Sequence, residues 1–135
     1  MINEEYKYSE LTSKIIGCAM TVHSILGNGF PEIIYQKALA IEFKLRGILY
    51  EQEKVMQIFY KCEYVGKRRV DFLVEKIIPV ELKATISLDN SNLAQALNYL
   101  EAYNLEIGLL INFGGKSLEF KRLINNKFNQ QNQKP

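Results

Sequence analysis

The chain has 135 residues, a formal net charge of +2, 47% hydrophobic residues and two cysteines. That length gives one domain with a real core, and so mild a charge permits a nucleic-acid partner without demanding one. Met1-Ile2-Asn3-Glu4-Glu5 lacks the layout of a signal peptide, no apolar run could span a bilayer, and Cys18 and Cys62 make neither a disulfide framework nor a CxxC zinc pair, so a cytoplasmic protein without membrane contact is expected.

Residues 1–8 read as a polar arm. From Ser9 to Leu26, apolar residues at Leu11, Ile15, Ala19, Val22 and Leu26 recur at helical spacing. Gly27-Asn28-Gly29 breaks that helix, and Pro31 opens a second one that runs to about Arg46 and stops at Gly47. Its expected core face is Ile34, Ala38, Ile41 and Leu45; a neighbouring stripe carries Glu32, Tyr35, Leu39 and Arg46. Strands follow at Val55–Tyr60 and from Tyr64, with a bend at Gly66, to Val74. A third spans about Ile77 to Ala84, where Pro79 must leave one side locally unpaired or bulged. A helix from about Ser91 to Tyr103 turns Leu93, Ala96, Leu97, Leu100 and Tyr103 to the core. Glu106 to Phe113 is a nearly continuous apolar strand, buried on both faces. Gly114-Gly115 leads to an edge strand over Ser117–Ile124, and 125–135 is Asn/Gln/Lys-rich and expected to be disordered. The order α-α-β-β-β-α-β-β predicts a single α/β domain over 1–124, with a mixed central sheet flanked by helices.

The stretch from Val70 to Lys83 carries the chemistry. Asp71 interrupts one apolar strand; Glu81 and Lys83 share a face of the next. Buried charges are costly unless paired, and a divalent metal held by Asp71 and Glu81, with Lys83 beside the nucleophile, would supply the pairing. A shared metal requires Asp71 opposite Glu81. The ladder then pairs Phe72 with Val80, Leu73 with Pro79 and Val74 with Ile78, around a three-residue loop Glu75-Lys76-Ile77. A two-residue turn would move the register by one and put Glu81 opposite Val70. Neither Glu75 nor Lys76 readily supplies the positive φ of such a turn, which disfavours it. The alternative to a metal site is a structural ion pair.

Asp, nine residues, then Glu-x-Lys resembles the active site of the PD-(D/E)XK nuclease superfamily, although Val70 stands where the leading proline belongs. More motifs resemble the small GxxExxY protein family: Gly29-Phe30-Pro31-Glu32-Ile33-Ile34-Tyr35, His23-Ser24-Ile25-Leu26-Gly27, Val80-Glu81-Leu82-Lys83-Ala84, Ala94-Gln95-Ala96-Leu97-Asn98-Tyr99-Leu100 and Gly108-Leu109-Leu110-Ile111-Asn112-Phe113-Gly114, in the same order over roughly residues 10–124. Pro79 departs from the β-branched residue usual there. The resemblance implies a restriction-endonuclease-like domain and hydrolysis of phosphodiester bonds with Mg²⁺ or Mn²⁺, in DNA rather than RNA. Asp71, Glu81 and the main-chain carbonyl of Leu82 would be ligands, and Lys83 would orient the attacking water and stabilise the anionic transition state.

By the same resemblance Glu32 joins the metal site, through water or a second ion, and the Gln95 amide holds water or phosphate beside Lys83. The plainer alternatives are a helix N-terminal charge for Glu32 and a boundary residue for Gln95. His23, the sole histidine, is either a packed, hydrogen-bonded residue or a member of the site's edge. Arg69, and Lys67 with it, share a face with Asp71 if no bulge intervenes, and would contact phosphates; otherwise they are a solvated hairpin. Tyr35 and Tyr99 would bond to the site or stack on bases, though packing is the commoner use of such rings. So small a domain has little recognition surface, which favours a homodimer or a partner. The rival functional class is a non-catalytic nucleic-acid-binding or regulatory module on the same fold.

Overall fold

A computed structural model describes residues 8–129. The elements are α1 (Ser9–Leu26), α2 (Glu32–Leu45), β1 (Tyr50–Tyr60), β2 (Glu63–Val74), β3 (Ile78–Lys83), α3 (Asn90–Ala102), β4 (Ile107–Asn112) and β5 (Glu119–Ile124). Order and class are as expected: one α/β domain with a mixed central sheet flanked by helices. The strands lie side by side in chain order. Neighbours are antiparallel except β3 and β4, which run parallel, with α3 as the crossover a parallel pair needs. Among the described residues no helix is long and apolar enough to cross a membrane.

α1 and α2 cover one face of the sheet. Ile15, Cys18, Ala19 and Val22 pack with Tyr35, Leu39 and Phe43 against Phe72, Val80, Leu82, Leu109, Ile111 and Phe113. On α2 the expected core stripe is corrected. Ile34, Ile41 and Leu45 are 38%, 58% and 74% exposed, whereas Tyr35, Gln36, Leu39, Ala40 and Phe43 are buried. Two apolar stripes compete on this helix, and the one carrying rings faces inward. Tyr35 stacks on Phe113 at 4.7 Å, and Phe43 meets Phe72 edge-on at 5.1 Å, contacts worth more than the aliphatic area opposite. The other face of the sheet receives α3 through Ala96, Tyr99 and Leu100. The bare Cα of Gly108 lies against Leu100 and Pro79. Asp89 caps α3 reciprocally with Asn92: each backbone N–H donates to the other's side-chain oxygen, at 2.8 and 3.0 Å.

Several boundaries move. β1 starts at Tyr50, not Val55, because its first residues, among them Glu51, Glu53 and Lys54, hide a strand that pairs from Tyr50↔Val74 onward. α3 starts at Asn90 and ends at Ala102. The tail expected from Asn125 is held, as far as it is described. Asn125 is buried, its amide donates to the Leu100 and Leu105 carbonyls, and Asn104 and Asn129 exchange two hydrogen bonds. The expectations for 1–7 and 130–135 lie outside the described residues.

The β2–β3 register is the expected one: Phe72↔Val80, Leu73↔Pro79, Val74↔Ile78. The parallel ladder to β4 begins only at Val80, so Pro79, without an amide hydrogen, sits just before it. The loop departs from the expectation, however. Glu75 and Lys76 do take positive φ, 52° and 61°. The strain is offset by anchoring. Glu75 N–H donates to the Leu49 carbonyl at 2.9 Å, and its carboxylate accepts from Leu49 N–H at 3.0 Å.

Beyond β3 the chain is pinned by Asn112, which has no exposed surface. Its carbonyl accepts from Thr85 N–H at 2.9 Å and Gly114 N–H at 3.1 Å, and its amide donates to the Thr85 carbonyl at 3.0 Å. Thr85 thereby crosses so close to Gly114 that a Cβ there would collide with its backbone nitrogen and oxygen. Gly114→Ala should therefore lower unfolding free energy by about 3 kcal/mol, at the upper end for overpacking. Urea denaturation measures it, and an unchanged midpoint would mean that this loop yields freely.

Candidate active site

The β2–β3 ladder ends at Phe72↔Val80. One residue further the two strands carry Asp71 and Glu81, and their carboxylates replace the missing rungs. Leu82 N–H donates to Asp71 Oδ2 at 2.7 Å, and Asp71 N–H donates to Glu81 Oε1 at 3.3 Å. Each acidic side chain is thus aimed by the other strand's backbone. Asp71 Oδ1 accepts from Gln36 Nε2 of α2 at 3.0 Å, and Gln36 Oε1 in turn accepts from Gln52 Nε2 of β1 at 2.9 Å. On the α3 side, Arg68 Nη2 lies 3.8 Å from Glu81 Oε2. The same guanidinium donates to the Gln95 main-chain carbonyl at 2.8 Å and lies 5.6 Å from the centre of the Tyr99 ring.

Two carboxylates so placed repel and are poorly hydrated. Burial, then the charge of Asp71, push the Glu81 carboxyl up to about 7, against the pull of Arg68. Asp71 is also raised by burial; the Leu82 N–H and Gln36 oppose the rise, followed by Lys83 and Arg69. Lys83 follows Glu81 by two residues, and its ammonium acts through space on Asp71, Glu81 and Glu32. Glu32, at the start of α2, is an exposed residue. Burial of its carboxyl and then Asp71 raise its pKa, which places it on the rim, within electrostatic reach of the pair.

The remaining sequence candidates divide. Lys67 and Arg69 are exposed on β2, and Arg69 pairs with Glu53 at 3.6 Å. Gln95 has an exposed side chain, and its main-chain carbonyl anchors Arg68. Tyr35 is also corrected as a base-stacking ring. It has no exposed surface, and its hydroxyl donates to the Gly27 carbonyl at 2.6 Å and accepts from Phe30 N–H, closing the α1–α2 loop. Tyr99 is 2% exposed, so it too offers bases no face; it supports Arg68. His23 Nε2 is 2.9 Å from the Gly115 carbonyl, tying α1 to the loop after β4, the packed alternative for this residue.

Sequence reasoning missed Gln36 and Arg68. Gln36 lies four residues after Glu32 and so shares its helix face; that spacing was the available signal. Arg68 sits, by alternation, opposite Arg69, and nothing in the sequence shows that α3 would bring a carbonyl and a ring to meet it.

Among the described residues no three His, Cys, Asp or Glu side chains gather closely enough to hold a metal. Glu32 therefore does not complete a three-carboxylate set. The Asp71–Glu81 pair still suits Mg²⁺, which keeps several waters and typically takes one or two protein carboxylates. An all-protein calcium or zinc cage is not present among these residues.

Residues 9–123 match the family model described as the PD-(D/E)XK nuclease superfamily. A comparison with curated proteins gave no match. The crystal structure of SSO0001 is similar in fold, with a TM-score of 0.55 and 19% identity over 90% of this chain. The match spans 61% of that protein's length.

The carboxylate pair has a consequence for stability. Glu81 titrates near 7 when folded and near 4.5 otherwise, so between those values the folded state binds the extra proton. Stability from this group falls as pH rises through that window. Glu81→Gln should stabilise the metal-free protein by about 2 kcal/mol at pH 8 and change little at pH 5, reckoned from 1.36 kcal/mol per unit and discounted for relaxation. Urea titrations at the two pH values read this; an equal gain at both would sever it from ionisation.

Proposed function

The chain belongs to the PD-(D/E)XK nuclease superfamily, and from that premise we propose that it is a Mg²⁺- or Mn²⁺-dependent nuclease that hydrolyses phosphodiester bonds, in DNA rather than RNA. The observation that carries the reading is the mutual aiming of Asp71 and Glu81 by each other's strand, with Lys83 two residues on. Two buried carboxylates held together without a full set of neutralising partners raise each other's energy; a divalent ion removes that cost. Asp71, Glu81 and the Leu82 carbonyl would hold it. A bound Mg²⁺ supplies charge neutralisation for a phosphate and a more acidic water.

The chain's own groups do the rest. Lys83, on the same strand face as Glu81, orients the attacking water and counters the negative charge that grows on the phosphate oxygens. Gln36 keeps one Asp71 oxygen engaged, which fixes the carboxylate plane. Glu32 acts from the rim, and Lys67 and Arg69 take phosphates flanking the cut. The ordered motifs from His23 to Gly114 support the finer assignment to the GxxExxY family. In this reading the protein works in the cytoplasm, and its small surface favours action as a homodimer. The competing non-catalytic module draws support from Arg68, which already partners Glu81; nucleic-acid affinity with no cleavage in either metal would establish it.

Lys83→Ala should lower the cleavage rate by roughly a hundredfold or more, as loss of one transition-state donor does, while Mn²⁺ binding survives. Asp71→Ala should lose both. Cleavage of DNA and RNA in single-stranded, duplex and branched forms, beside calorimetric Mn²⁺ titration, measures this. Full cleavage by both variants would remove these residues from the chemistry.

A further inference from the structure

β1 and β2 pair from Tyr50↔Val74 to Tyr60↔Glu63 except at Glu53 and Asp71, but β3 joins β2 only from Phe72 to Val74. Residues 55–69 therefore continue past the sheet as a two-stranded ribbon. Such a ribbon is marginal alone; here Arg68 anchors it to α3. Its charge is lopsided. Lys61, Lys67, Arg68 and Arg69 face one carboxylate, Glu63, in this stretch, so the remainder of the chain is net negative by one.

The ribbon face opposite Arg68 is ordered by register. Lys67 pairs with Gln57 and Arg69 with Val55, and partners across a ladder share a face. A bulge shifts the register between Ile58 and Phe59, so that Phe59 lies opposite Tyr64 rather than Val65. By alternation from Gln57, Phe59 is on the same face, and the shift brings Tyr64 to it. Phe59 and Tyr64 are 57% and 55% exposed and meet edge-on at 6.0 Å. Exposed rings, then Lys67, then Arg69, thus run in line to Asp71. The Arg69–Glu53 pair is solvent-exposed and weak, so a phosphate can replace Glu53.

We propose that this ribbon face binds a single-stranded stretch of nucleic acid, its phosphates on Lys67 and Arg69 and an unpaired base on the Phe59–Tyr64 pair. Unpaired bases offer these side chains a ring face that bases inside a duplex stack do not, and positively charged tracks with aromatic platforms suit single strands. Tyr64 lies about 20 Å along β2 from Asp71, at ~3.3 Å per residue with one residue in the bulge. That reach equals about six nucleotides of a stacked strand at ~3.4 Å each. The inference rests on the nuclease reading only for where the cut falls: a substrate with an unpaired segment about six nucleotides from the scissile bond.

Fluorescence anisotropy of the full chain, without divalent metal, against a 12-nucleotide single strand and a blunt 12-base-pair duplex tests it. The wild type should prefer the single strand. Phe59→Ala with Tyr64→Ala should weaken single-strand binding about tenfold, the loss of one stacked base, at an unchanged unfolding midpoint. Phe59→Tyr with Tyr64→Phe, which keeps both rings, should bind as wild type. Lys67→Gln with Arg69→Gln should reduce the slope of log affinity against log salt by about 1.4. Wild-type affinity in the ring-deleted variant, or a preference for duplex, overturns the proposal. So does a wild-type dimer that the ring deletions dissociate with nucleic-acid affinity intact, which would make this face an interface between copies. Single-strand binding as described, with no cleavage in Mg²⁺ or Mn²⁺, supports the ribbon proposal and rejects the nuclease reading.

Discussion

Everything near the site depends on where the β2–β3 ladder stops. Had the strands stayed paired past Phe72 and Val80, the Leu82 amide could have met a backbone carbonyl of β2, and the Asp71 carboxylate would be free to turn away. Because that ladder stops there and the β1–β2 ladder skips Glu53 and Asp71, the Leu82 and Asp71 N–H groups need acceptors, and they take the Asp71 and Glu81 carboxylates. Backbone satisfaction thus forces two anions together in a place where neither is well hydrated. Electrostatics alone would drive them apart. The fold holds the arrangement because losing it would orphan buried donors.

The surrounding elements act on this pair from two sides. α2 contributes Gln36, a neutral donor that fixes Asp71 without discharging it. α3 contributes no side-chain charge; it offers the Gln95 carbonyl and the Tyr99 ring, which hold Arg68 of β2 against Glu81. The pair is thereby stabilised by one cation close at hand, Arg68, and by Lys83 through space. That is enough for the fold to persist, yet Glu81 keeps a strongly raised pKa. A divalent ion of the kind proposed would have charge left to neutralise here, whereas full neutralisation by protein groups would leave it nothing to gain.

Much of this was legible in the sequence, and the reasons differ by level. Element order follows from periodicity and from Gly and Pro punctuation, which are local. The register follows from a chemical demand, Asp71 opposite Glu81, and holds even though Glu75 and Lys76 adopt the backbone angles thought unfavourable for them; the Leu49 contacts that hold the loop are not local. The inward face of α2 is not legible in the sequence, because summed apolarity cannot show that Tyr35 and Phe43 have ring partners on distant strands. Asp71, Glu81 and Lys83 stand close in sequence, so their meeting is a short-range inference. Arg68 and Gln95 meet across 27 positions, and the useful atom of Gln95 is its main-chain oxygen, which residue identity does not encode.

β2 therefore has two tasks along one strand. Near its end it places Asp71 at the splay; earlier, it forms one side of an exposed ribbon. Alternation separates the duties of consecutive cations. Arg68 points to α3 and stiffens the ribbon against the body, while Lys67 and Arg69 point away and stay solvated. Without the Arg68 anchor, a two-stranded ribbon of this length would sway independently of the site, and the line from its tip to Asp71 would have no fixed length. The bulge before Gly66 adds the complementary constraint, since it sets which face the tip's rings occupy. One arginine and one extra residue in a strand thus convert a flexible hairpin into an extension of fixed direction, pointing out from the carboxylate pair.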